Sequence, residues 1–201
     1  DEWKEEMKRC NVPAWYIESC ERIEYMFPKA HAAAYVISAV RTAFFKVYHP
    51  IAYYATYFSV RAADFDLELL CQGYDAILRQ LVEIEAKGFQ ALPKEKAMVS
   101  ILEMSLEMTA RGFSFKPIDI YRSDATKFII DGNSLIPPFA AMSGIGENAA
   151  KNIAAAKEEG GDFLSIEDFQ NRSKASKTVI EMLSQMGCFR GLPESNQLSL
   201  F

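Results

Sequence analysis

Apolar residues recur three and four positions apart along most of the chain, and this helical rhythm gives way to alternation only around residues 113–130. In residues 2–24, charges hold one side of a helix and Trp3, Met7 and Cys10 another. After Pro13, the run Trp15-Tyr16-Ile17 starts a second short helix, and both read as packing elements. Pro28 suits a first helical turn because its ring fixes φ and carries no N–H, so a long helix is predicted over residues 29–48, broken at His49-Pro50. Residues 51–60, rich in Tyr and Phe, read as a buried helix. Helices over 67–73 and 74–87 follow, the second with Ile77, Leu78, Leu81, Val82 and Ile84 at helical spacing and a stop at Gly88. Leu92-Pro93 opens another over 94–111, which Gly112 closes.

Phe113, Phe115, Ile118, Ile120 and the run Phe128-Ile129-Ile130 then suggest short extended segments, with Asp131-Gly132-Asn133 as a turn. After Pro137-Pro138 come two short helical hairpins joined by tight turns. The expected fold is mainly α, with a small β-containing connector ahead of a tandem helix-hairpin-helix domain. The expected divisions are residues 1–130, 131–191 and a tail, 192–201.

Half of the 201 residues are apolar and 24% are charged, enough for real cores; disorder and a disulfide scaffold are excluded, and no apolar stretch reaches membrane-spanning length. The four cysteines, at 10, 20, 71 and 188, lack paired spacing, and the chain opens within a charged helical run without a leader. A cytoplasmic piece of a longer protein, with reduced thiols, is expected. The net charge of −5 argues against bulk electrostatic coating of nucleic acid. Its distribution is uneven, however: residues 25–63 contain no Asp or Glu but hold Lys29, Arg41, Lys46, Arg61, His31 and His49. A buried apolar helix pair would also exclude acids; a local positive field is the functional alternative.

The most informative stretch is Ser143-Gly144-Ile145-Gly146-Glu147-Asn148-Ala149-Ala150-Lys151. Helix, Gly-hydrophobic-Gly, then a helix opening on small residues is the helix-hairpin-helix pattern. Glycines open unusual turn conformations and let a phosphate reach the backbone, the free N–H groups of the next helix point at that anion, and Ile145 anchors the turn from below. Such a device grips DNA by its phosphates without a basic surface. From residue 144 to 191 the bases number six and the acids seven, in keeping with that mode. An ordinary tight helical connection is the plain alternative. The second hairpin has a capping-box spacing at Ser165-Ile166-Glu167-Asp168 and a turn at Arg172-Ser173-Lys174, but no Gly-x-Gly. It reads as a packing partner, with Lys174 and Lys177 as its candidate phosphate contacts.

At 100° per residue, His31, Tyr35, Ser38, Thr42 and Lys46 share one helical stripe, with Arg41 at its edge and Lys29 just before it. Cations, hydroxyls and an imidazole beside alanines suit a polyphosphate and an aromatic base; a satisfied structural histidine is the plain alternative. The tail Gln197-Leu198-Ser199-Leu200-Phe201 has a polar head and apolar anchors that suit a partner's pocket, unless they fold back. No zinc spacing, phosphate-binding loop or Gly-x-Ser-x-Gly is present, and Asp64 and Asp66 sit in a helix-linker context ill suited to paired catalytic metals. The candidate set therefore holds no catalytic and no metal-ligating residue.

In chain order these features resemble the C-family bacterial replicative DNA polymerases. The run Pro28-Lys29-Ala30-His31-Ala32-Ala33-Ala34-Tyr35 is similar to their fingers motif, followed by Tyr48-His49-Pro50; the Gly144 hairpin is similar to their duplex-binding domain, and the last five residues to their sliding-clamp peptide. The tail's position and the Pro-Lys-Ala-His form point to the PolC type. The resemblance is weakest over residues 62–111. It implies that residues 1–130 are the C-terminal part of the fingers, 131–191 the duplex-binding domain and 192–201 the clamp-binding tail. It further implies that Lys29, His31, Tyr35, Arg41 and Lys46 contact the incoming dNTP. By the same resemblance, Ser143, Gly144, Ile145, Gly146, Asn148, Ala149, Lys151, Lys174 and Lys177 hold primer-template DNA. The implied partners are the beta sliding clamp and the remainder of the polymerase subunit, with no membrane. Mg2+ would be held by aspartates of the parent polymerase outside this chain. A non-enzymatic DNA-binding and clamp-recruiting module is the alternative.

Overall fold

In the computed structural model, residues 2–23, 28–62 and 65–196 are described. Ten helices account for most of them: α1 (Glu2–Arg9), α2 (Ala14–Arg22), α3 (Lys29–Tyr48), α4 (Pro50–Val60), α5 (Leu67–Cys71), α6 (Tyr74–Lys87), α7 (Pro93–Ala110), α8 (Glu147–Gly160), α9 (Ile166–Ser173) and α10 (Lys177–Gln185). The short strands are β1 (Ser114–Phe115), β2 (Ile129–Asp131) and β3 (Ser134–Ile136). The mainly α expectation holds. No described helix is long and apolar enough to cross a membrane.

The chain divides into two compact units, Asp1–Phe44 and Phe45–Phe201. In the first, Lys4 on α1 pairs with Glu21 on α2 at 2.5 Å, and only Ile17 is buried among the described residues. The sequence expected α1 and α2 to pack their apolar stripes. Instead Trp3 and Trp15 are 79% and 70% exposed. The α3 residues of this unit are likewise all exposed, Tyr35, Val36, Ile37, Val40 and Phe44 included.

The second unit is built on a continuous apolar core running from Tyr54 to Phe189. Phe58, Phe65, Phe115 and Phe128 meet edge to face or tilted, three of the pairs with ring centroids 5.0 Å apart, which joins α4 to the connector. Burying one such ring contributes about 1.5–3 kcal/mol, and edge-to-face geometry adds about 0.5–1.5 kcal/mol per pair. Ser59 completes the join, its hydroxyl accepting the Phe128 N–H at 2.8 Å. The sheet has the order β1-β3-β2, with β1 parallel and β2 antiparallel to β3. Asp131 faces Ser134 across a two-residue loop in which Gly132 takes φ +62°, the turn expected from Asp131-Gly132-Asn133. Of the expected extended residues, Phe115, Ile129 and Ile130 enter the sheet, whereas Ile118 and Ile120 are buried from an irregular loop. Strand β2 spans the division expected after residue 130, and the core runs on across it.

Candidate nucleic-acid interface

The first hairpin begins with less helix than its pattern suggested. Pro138 leaves only five residues before Gly144, and they form a single 3-10 turn, Phe139–Ala141, rather than an α-helix. Gly144 takes φ +83°, which strains any residue with a Cβ. Ile145 then turns inward and is buried. Gly146 sits at the N-cap of α8 with φ −73° and ψ 158°, a conformation open to every residue, so the need for glycine there is not conformational. A Cβ at either position would meet no atom within 4 Å. No side chain caps α8, and Ser143, Gly144, Gly146, Asn148 and Ala149 are all exposed. The first-turn N–H groups of a 14-residue helix thus face an open surface where a partial positive charge collects. Glu147 and Lys151 form an exposed ion pair at 2.6 Å. Lys151, through a hydrogen bond and its charge, holds the Glu147 carboxyl below its ordinary 4.5.

The second hairpin repeats the first position by position. Lys174 takes the left-handed conformation (φ +57°) held by Gly144, Ala175 is buried as Ile145 is, and Ser176 caps α10 with φ −69° and ψ 159°, close to Gly146. The difference is chemical: Ser176 Oγ accepts the Val179 N–H, so that α10 is capped from within. Lys174 and Lys177 are both exposed at this turn. Arg172, which the sequence reading treated only as a turn residue, fastens the two hairpins together. It donates to the carbonyls of Ala156 and Gly161 at 2.5 and 2.9 Å, pairs with Asp168 at 3.2 Å and stacks over Phe163 at 4.4 Å. Its i,i+4 relation to Asp168 was the available signal. Ser165 caps α9 by accepting the Asp168 N–H at 3.0 Å, as its spacing foretold.

This hairpin region matches the helix-hairpin-helix motif family over residues 112–198. The whole chain is 60% identical over 200 residues to the protein named DNA polymerase III PolC-type of Bacillus subtilis (strain 168), covering all of this chain and 14% of that protein. The protein of the same name from Caldanaerobacter subterraneus subsp. tengcongensis is 58% identical over 197 residues, covering 98% of this chain and 14% of its own length. That of Listeria monocytogenes serovar 1/2a is 55% identical over all 201 residues, again 14% of the relative. Along its whole length the chain is homologous to a segment of the proteins that carry this name. It spans about one seventh of the length of these relatives.

Within the aligned segment the helical stripe lies on α3. Lys29, His31, Tyr35 and Arg41 are exposed, and the His31 and Tyr35 rings meet at 4.6 Å, edge to face, as i,i+4 neighbours should. Nothing among the described residues buries α3, so burial within this chain does not account for its lack of acids. Lys46 differs: it is half-buried, with its ammonium 2.5 Å from Glu107. Asp66 is accounted for by structure, as it caps α5 by accepting the Leu69 N–H at 3.1 Å, while Asp64 lies outside the described residues. Among the described residues no three His, Cys, Asp or Glu side chains gather closely enough to hold a metal ion. Gln197, Leu198, Ser199, Leu200 and Phe201 lie outside the described residues.

Proposed function

We propose that this chain is the part of a cytoplasmic, PolC-type replicative DNA polymerase that grips newly made duplex and helps to seat the incoming dNTP. The reading rests on one observation above all. A glycine turn delivers the uncapped N-terminus of α8 to open surface, in a chain homologous along its whole length to PolC-type polymerases. A DNA phosphate placed there accepts backbone N–H bonds and meets the positive end of the helix dipole, with no base contact and hence no sequence preference. Ser143 to Ala149 supply the cradle. Lys151 adds a cation once its pair with Glu147 opens, and Lys174 and Lys177 offer charge from the repeated turn.

For the nucleotide, Lys29 and Arg41 supply positive charge on an exposed acid-free helix, and His31 and Tyr35 an aromatic pair against which a base or ribose can rest. Lys46 could join them only by leaving Glu107. Phosphoryl transfer depends on positioning and charge stabilisation, so these residues can raise the rate while Mg2+ and its aspartates belong to the remainder of the subunit. The exposed apolar residues of α3 fit a helix covered by that remainder. The tail Gln197-Leu198-Ser199-Leu200-Phe201 is assigned to the beta sliding clamp, where tethering raises local concentration.

In the full-length enzyme, Lys29→Ala and His31→Ala should raise the KM for dNTP while duplex affinity holds, as read by steady-state incorporation and by titration of labelled duplex. Unchanged kinetics in both variants would reject the nucleotide assignment. Removal of residues 197–201 should abolish clamp capture without altering duplex affinity, and persistent capture would reject the tether.

A further inference from the structure

All twenty residues of α3 are described, and Lys46 is the single one not exposed. Its ammonium lies 2.5 Å from Glu107 Oε2 on α7 and 5.5 Å from the centroid of the Tyr53 ring on α4. The other carboxylate oxygen of Glu107 accepts the Tyr54 hydroxyl at 3.0 Å and stands 3.6 Å from Arg111. Arg111, just past α7, donates one N–H to the Tyr54 oxygen at 3.0 Å and to the main-chain carbonyl of Lys46 at 3.1 Å. That carbonyl has a particular need. Its partner in a continuing helix would be the N–H of residue 50, which is proline and has none. Arg111 supplies the missing donor and places a cation at the negative end of the α3 dipole. The closed ring of contacts lies wholly within the Phe45–Phe201 unit. Burial alone would raise the Glu107 carboxyl, but hydrogen bonds from Lys46 and Tyr54 outweigh it and hold the group below its ordinary 4.5.

We infer that Glu107, Arg111 and Tyr54 are positioning residues that anchor the last turn of α3, the helix that carries Lys29, His31, Tyr35 and Arg41. The inference rests on the nucleotide reading proposed above. A half-exposed ion pair alone would be a weak anchor, but here one carboxylate accepts from Lys46 and Tyr54, one guanidinium donates to Tyr54 and the Lys46 carbonyl, and the two groups attract each other at 3.6 Å.

The test uses the full-length polymerase with primed template and measures dNTP kcat and KM, duplex affinity and Tm. Glu107→Gln keeps shape but weakens the Lys46 and Arg111 contacts. It should lower kcat/KM for dNTP roughly tenfold with duplex affinity and Tm unchanged. Lys46→Met combined with Glu107→Gln should do no more harm than the worse single change, and Arg111→Lys should restore part of the activity lost in Arg111→Ala. Unchanged kinetics in Glu107→Gln would overturn the anchor, as would a fall matched by equal losses of duplex affinity and Tm. A lowered KM in Glu107→Gln would also overturn it, by showing that Lys46, once released, binds the triphosphate itself. Lys29→Ala separates the two layers: if it leaves nucleotide kinetics intact the nucleotide reading fails, whereas a loss in Lys29→Ala with none in Glu107→Gln condemns the anchor alone.

Discussion

The two hairpins share a backbone and differ in what they do with the same four N–H groups. Gly144-Ile145-Gly146 and Lys174-Ala175-Ser176 follow nearly the same path, a left-handed residue, a buried one and an extended N-cap. At Ser176 a hydroxyl takes up a donor that at Gly146 is left to the surroundings. A capped helix is satisfied alone, and its turn serves packing; an uncapped one is completed by an anion. One side chain therefore separates a hairpin capped from within from the one proposed to hold phosphate.

The largest expected effect comes from Gly144→Val. A β-branched residue at φ +83° should cost about 2 kcal/mol of stability and abolish duplex binding, read by thermal unfolding and by duplex titration. Tolerance of valine would show that this turn can relax and that its geometry is not the basis of the comparison. Gly146→Ser is more discriminating, because its two readouts should move apart. Serine fits φ −73° and caps α8, holding stability level or raising it, while its hydroxyl competes with phosphate and weakens duplex binding roughly tenfold, alike for every sequence. Binding that survives would mean that the α8 N-terminus faces no phosphate.

The converse change, Ser176→Gly, uncaps α10 and gives the second turn the open N-terminus of the first. Stability should fall by less than about 1 kcal/mol and duplex affinity should rise by a few fold. Lys174→Ala should lower affinity, with a salt dependence shallower by about one counterion, and an unchanged salt slope would remove Lys174 from the phosphate contacts. The smallest effect concerns pH. Glu147 is held below its ordinary 4.5 by Lys151, so the stability of their pair is fully present above that value and is lost only as pH falls through the lowered one. Duplex affinity should be flat from pH 8 to 6. It should tighten only as pH falls through that lowered value and the carboxylate beside the α8 N-terminus is neutralised; a step near neutrality would point to another group.

Much of this was legible in local sequence. Helix starts at Pro28 and Ser165, the turn at Gly132 and the Gly144 hairpin are each set by residues whose φ, missing N–H or short polar side chain act on their immediate neighbours. The role of Ser176 was not legible because, unlike Ser165 with Asp168, it has an apolar residue, Val179, three positions on and so no capping-box spacing. The sequence reading grouped Lys46 with Lys29 because periodicity places both along one helix and says nothing of Glu107, sixty-one positions away. Arg172 was likewise invisible as a fastener, since its acceptors are main-chain carbonyls that any sequence provides.

The sequence by itself determined the helices, the glycine turn and the exclusion of acids from α3, because these follow from propensities acting within a few residues. The tertiary structure decided which charges stay open to a ligand and which are consumed in packing. Lys29 and Arg41 remain exposed, Lys46 closes on Glu107, and Arg111 answers the carbonyl that Pro50 leaves without a donor. The reason is physical: a cation's availability depends on the distance to its counter-charge, and folding sets that distance through contacts far apart along the chain.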